Sequence, residues 1–229
     1  MKPIQECYNA AFSAFELWNL TDFSNKKQAL AAVENLWPEG LSKVAQYQFA
    51  HAESVVSTTH SLVSPTGETN ELYTQGRGVA VLLFDSDAQY ADKALVAMVT
   101  ALLTAGNSVI VCSDNSRVKT LIEASNIRCT LPENLIQIVE RDKYTELLNL
   151  DIRNFVLIGS ANSSVSLSEA LAMRPNAITS MVAETDLESL PHSKDPKLVL
   201  RFITEKVKSI NITAIGGNAM LLELGNTVH

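Results

Sequence analysis

Five short apolar runs with helical segments between them constrain this chain more than any other feature. Val79 to Phe84 (VAVLLF) is apolar throughout, as expected of a strand buried on both faces of a parallel sheet. Ser108 to Cys112, Leu135 to Val139, Phe155 to Ile158 and Ala177 to Val182 read as further strands. The stretches between them carry helical periodicity: Ala88 to Leu103, Asn115 to Ala124, Lys143 to Leu150 and Ser164 to Met173. Ala105-Gly106-Asn107 stops the first of these, since glycine tolerates the left-handed conformation that ends a helix. Strand–helix alternation of this kind predicts an α/β fold, a doubly wound, Rossmann-like parallel sheet with right-handed crossovers. Strand order is not legible from it.

The flanks differ. Residues 1–63 read as a helical segment. Phe12, Phe15, Leu17 and Leu20 recur at near-helical spacing, as do Leu30, Val33, Leu36 and Trp37. Thr21 and Ser24 are candidate caps for the second helix, and Pro38 can start a third. Ser64-Pro65-Thr66-Gly67 is a turn that opens the α/β region, residues 64–190, with Gly67 able to take positive φ. Residues 191–229 form the last segment. Within it Lys197 to Glu205 reads as helical, and Lys206 to Thr213 alternates like a strand with one exposed face. Together they predict a C-terminal β-flap and tail.

Bulk properties narrow the function. With 229 residues, 46% of them apolar, the chain can bury a core without disulfides. A net charge of -7 disfavours a phosphate backbone as partner. Cys7, Cys112 and Cys129 match no zinc or redox spacing, and scattered thiols fit a reducing cytoplasm. His51, His60, His192 and His229 have no metal-ligand spacing. No apolar run is long enough to span a bilayer, and the N-terminus lacks the pattern of a secretory signal.

Three places invite a chemical reading, each with a plainer one beside it. Cys112 ends a buried strand just before a helix, which could lower a thiol pKa; a small core residue is the plainer reading. Asp85, Ser86 and Asp87 follow the first strand at the edge where ligands bind, yet they also suit a helix cap. Gly159 and Ser160 open a turn before a helix N-terminus, where a phosphate of NAD could sit, but the turn is no G-x-G-x-x-G.

Several segments resemble the aldehyde dehydrogenase superfamily. Ala101 to Val111 is similar to the helix–turn–strand of its dinucleotide-binding domain, and Phe155 to Ser160 to its later strand and Gly-Ser turn. The resemblance implies a cofactor lysine where this chain has Cys112, and a second glycine where it has Ser164. A nearer resemblance is to the C-terminal aldehyde-dehydrogenase-like domain of trifunctional proline utilization A. It is carried by Pro65 to Asn70, by the stretch from Phe155 through Arg174-Pro175-Asn176-Ala177-Ile178, and by Ser209 to Ala219. That resemblance implies a domain without catalytic residues. Such a domain packs on the 1-pyrroline-5-carboxylate dehydrogenase of proline catabolism and helps close its substrate tunnel. It implies contact, with a partner dehydrogenase or a second copy, through Ile210, Asn211, Thr213, Gly216, Gly217 and Asn218. The alternative is an NAD-binding remnant or subunit of an aldehyde dehydrogenase, with Gly159 and Ser160 at the cofactor.

Overall fold

A computed structural model describes residues 3–88, 90–127 and 131–211. Three helices lead: α1 (Ile4–Asn19), α2 (Phe23–Glu34) and α3 (Glu39–Val56). Two strands follow, β1 (His60–Leu62) and β2 (Glu68–Gly76). The chain then alternates through β3 (Val79–Phe84), α4 (Ala91–Ala105), β4 (Ser108–Cys112), α5 (Ser116–Ile127), β5 (Ile136–Val139), α6 (Tyr144–Leu147), β6 (Asn154–Ile158), α7 (Ala161–Ala172) and β7 (Ser180–Glu184). A last strand, β8, spans Ile203–Asn211.

The central sheet is parallel, in the order β5-β4-β3-β6-β7. This is the doubly wound arrangement expected from the alternation, with the topological switch between β3 and β6. Residues of β3, β4 and β6 are buried on both faces, which explains their unbroken apolar sequence. Side chains part by strand alternation. Val79, Val81, Leu83, Ile110, Cys112, Phe155 and Leu157 meet Cys7, Tyr8 and Ala11 of α1, Leu147 of α6 and Leu167 of α7. Ala80, Leu82, Phe84, Val109, Val111, Val156 and Ile158 pack on the other face with α4, which is buried except at Lys93. Each large side chain so buried contributes roughly 1.5–3 kcal/mol.

The leading helices do not form a single layer. The first half of α1 covers one sheet face, and its end reaches the other. There the Trp18 indole donates to Leu103 O at 2.8 Å. Helices α2 and α3 lie on the α4 side. Neither Thr21 nor Ser24 caps α2: its N-cap is Asp22, without a side-chain bond, and the Thr21 hydroxyl donates to Leu17 O. Pro38 stands at the N-cap of α3, as its fixed φ suits.

The flap contains more than the sequence suggests. β1, β2 and β8 form an antiparallel sheet in which all nine residues of β2 pair with all nine of β8. The helix expected at Lys197 to Glu205 is a 3-10 turn over Leu198–Arg201, and the strand begins at Ile203. The cause is local: Phe202 and Ile203 are buried where flap and main sheet meet, so the chain must extend there. Residues 212 and 213 of the expected strand lie outside the described residues.

The Ala105-Gly106-Asn107 turn joins these two sheets. Gly106 takes φ 98° and closes α4, its backbone N–H donating to the Leu102 and Leu103 carbonyls. Asn107 is fully buried. Its Oδ1 accepts from Arg77 N (2.7 Å), Gly78 N (3.1 Å) and Asn154 Nδ2 (3.2 Å). Its Nδ2 donates to Leu102 O and Phe202 O, at 3.1 and 3.0 Å. One amide thus ties together the end of β2, the start of β3, β6, α4 and the residue before β8.

Candidate functional site

Ligands of doubly wound sheets bind at the carboxyl ends of the strands, near the switch point. Here that edge is made by Asp85 and Ser86 after β3, Ser113 and Asp114 after β4, Glu140 and Arg141 after β5, and Gly159 and Ser160 after β6. Asp85 Oδ2 and Arg141 Nη2 form an ion pair at 2.8 Å across it, and Arg141 N donates to Asp114 Oδ1 at 3.1 Å. An open cavity of about 640 Å³ lies beside this pair. It is bounded by Ser113, Asp114, Lys119, Glu140 and Lys143, with the start of α1 as its other wall.

The expected cap at Asp85 to Asp87 is not formed. Helix α4 begins later, at Ala91, and its N-cap Tyr90 makes no side-chain bond. The acidic residue in its first turn is Asp92, whose Oδ2 lies 3.5 Å from Arg117 Nε. Burial pushes the Asp92 carboxyl above its ordinary pKa, and Arg117 works against that rise. Asp85 turns instead to Arg141, a partner 56 residues away that local reading does not reveal.

Gly159 and Ser160 lie where the sequence places them, and both have structural partners. A Cβ on Gly159 would stand 3.3 Å from Asp85 Cβ and Asp85 O, so Asp85 occupies the space this glycine leaves. Ser160 is the N-cap of α7; its hydroxyl accepts from Ser163 N at 3.1 Å. Ser164 donates its own amide to Ser160 O within the first turn. The contacts made by Gly159 and Ser160 are those of a strand-to-helix turn.

Cys112 is fully buried in β4, and burial raises its thiol pKa far above the ordinary value, so the lowering that a nearby helix could give does not occur. Cys7 Sγ donates to Gln137 Oε1 at 3.0 Å. Cys129 lies outside the described residues. Arg174, part of the Arg-Pro-Asn stretch, donates to Leu148 O and Leu150 O at 2.6 Å and also to Thr179 Oγ1. It closes the end of α6. Among the described residues no group of His, Cys, Asp and Glu could hold a metal ion, and no helix is long and apolar enough to cross a membrane.

Of the contact residues expected from sequence, Ile210 and Asn211 lie on β8, opposite Thr69 and Glu68 of β2. β8 is exposed from Glu205 through Asn211, on both faces rather than one. Thr213, Gly216, Gly217 and Asn218 lie outside the described residues. Sequence reading missed β2 as the partner of β8, because its nine residues, ETNELYTQG, are mostly polar. Its only signal was the turn before it, at Gly67, which does take positive φ.

The parallel sheet with its antiparallel flap defines an α/β fold of the Rossmann-like class. Solved structures sharing that fold include proline utilization A with proline bound in remote sites (TM-score 0.70, 22% identity). The likeness covers 81% of this chain and 22% of that one. A mutant of Bradyrhizobium japonicum proline utilization A gives TM-score 0.69 and 23% identity, with the same coverage of both chains. PnpE from Pseudomonas sp. WBC-3 matches at TM-score 0.63 and 14% identity, over 80% of this chain and 42% of its own. The chain therefore spans about a fifth of the proline utilization A proteins it resembles. No protein-family model matches the chain, and no curated protein does.

Proposed function

We propose that this chain is a non-catalytic structural domain related to the 1-pyrroline-5-carboxylate dehydrogenases of proline catabolism. In this reading its flap docks on a dehydrogenase, as a domain of the same protein or a separate subunit, and covers or stabilises the substrate tunnel. The observation that carries the reading is the flap: a nine-residue strand exposed along seven of its residues, held by a second strand that leads directly into the central strand β3. An edge so placed offers backbone and side-chain groups to a partner. The buried Cys112 and the Asp85–Arg141 pair spanning the ends of β3 and β5 are consistent with a domain that does no chemistry.

The test mixes the chain with a 1-pyrroline-5-carboxylate dehydrogenase and follows complex formation by light scattering after size exclusion. A complex that is lost on Val207→Asp with Ile210→Asp, in the exposed part of β8, supports docking. Independent monomers sink it, as does robust NAD-dependent aldehyde oxidation by the chain alone. The second reading, an NAD-binding remnant, rests on Ser160 heading α7. It requires millimolar NAD to raise the thermal midpoint by mass action.

A further inference from the structure

Lys26 has no role in the reading above, and its surroundings are unusual for a lysine. It lies on α2, and only 8% of its surface is exposed. Its Nζ is 5.9 Å from the centroid of the Trp18 ring and donates to Asn19 O at a long 3.4 Å. Among the described residues no carboxylate pairs with it within 4.0 Å, although Asp22 lies near enough to act through space. Gly106 makes room for the amine: a Cβ there would stand 3.3 Å from Nζ.

Lys26 also borders open space. Lys26 lines a cavity of about 360 Å³ together with Asn19, Thr21, Glu71, Tyr73 and Thr104. Among the residues around it, the titratable groups besides Lys26 are Asp22, Glu71 and Tyr73; α1 and α4 contribute none. Burial, opposed by Asp22, lowers the ammonium pKa to about 8.

We propose that Lys26 is a covalent capture site for small carbonyl compounds, its amine condensing with an aldehyde that enters the cavity between α1, α2 and the flap. The Nζ lone pair attacks the carbonyl carbon, and the C=O π electrons move to oxygen. Proton transfer from nitrogen to that oxygen gives a carbinolamine. Loss of water leaves an imine, so amine and aldehyde yield imine and one water with no oxidant or reductant. This inference does not rest on the docking role.

Lys27 provides an internal comparison on the same helix: it is exposed and pairs with Glu53 at 2.9 Å. At pH 7.5 an amine with a pKa near 8 is neutral about a quarter of the time, against roughly one part in a thousand for an ordinary lysine. The whole chain is treated with propionaldehyde and sodium cyanoborohydride at pH 7.5, and modified lysines are mapped by peptide mass spectrometry. Lys26 should be alkylated at least about tenfold faster than Lys27, the neutral-fraction advantage being reduced by lower basicity and narrower access. Its rate should level off above pH 8 while that of Lys27 still climbs. Lys26→Arg should remove the adduct and leave the labelling of Lys27 unchanged. Labelling of Lys26 no faster than Lys27, or rising in parallel with it to pH 10, overturns the proposal. The amine is then an ammonium held by the carbonyl end of α1.

Discussion

Replacing Asn107 with alanine removes one side-chain amide and five hydrogen bonds at the junction of the two sheets. Leu102 O keeps a partner, because the Asn107 backbone N–H also donates to it at 3.0 Å. The Arg77 and Gly78 amides, the Asn154 side chain and Phe202 O lose the bonds described here. A buried polar group left without a partner costs about 1–3 kcal/mol, and a water in the vacated space recovers part of that. A net loss of about 4 kcal/mol follows, a large share of the 5–15 kcal/mol typical of a folded domain. Trp18 and Trp37 are both buried, so their fluorescence reports urea unfolding without a label. With a slope near 2 kcal/mol per molar urea, the midpoint should fall by about 2 M. Asn107→Asp keeps the acceptor but loses both donors and buries a charge. It should therefore lose at least as much at pH 7 and regain some stability as pH falls. A loss under about 1 kcal/mol for Asn107→Ala would refute the view that this amide ties the flap to the sheet.

Other outcomes follow from the same structure. Lys26 has a folded pKa of about 8 and an ordinary one of 10.5, so between those values the unfolded chain binds more protons and stability rises with pH. Relative to Lys26→Met, the wild-type chain should gain up to roughly 3 kcal/mol across that window in urea titrations at stepped pH. Gly76→Ala places a Cβ 2.5 Å from Gly106 C and should destabilise by several kcal/mol, on the order of an overpacked core site, read as a fall in thermal midpoint. The Cys112 thiol should resist an aromatic disulfide reagent in the native chain and react only after denaturation. Arg141→Ala, which breaks a half-exposed ion pair, should change stability by less than about 1 kcal/mol in the same melts.

What could be read from sequence divides along physical lines. The three central strands were legible because burial on two faces demands unbroken apolar runs, and VAVLLF has no other good use; the half-buried β7 lies at Ser180–Glu184, three residues later than the expected start at Ala177. The end of α4 was legible because Gly106 takes a conformation that few residues tolerate. Features that depend on distant partners were not. Nothing near Asn107 announces its bonds to Arg77, Asn154 and Phe202. Asp85 has the composition of a cap and the geometry of an ion pair. β2 is polar because its partner is a peripheral strand and not a core, so hydrophobic periodicity passes over it. Helical spacing in Lys197 to Glu205 was real but was overridden by the need to bury Phe202 and Ile203 where the sheets meet.

The pairing of β2 with β8 also sets an order of events during synthesis. Ser209 is 139 residues from Asn70, the residue whose side chain its hydroxyl meets. A ribosome adding about 5–20 residues each second leaves β2 without its mate for seconds after it emerges. Over that interval the main sheet can form, while β2 and the short β1 wait as an unfinished hairpin. The polar sequence that hid β2 from pattern reading is what keeps that interval safe, since a strand with few apolar residues is a poor template for aggregation.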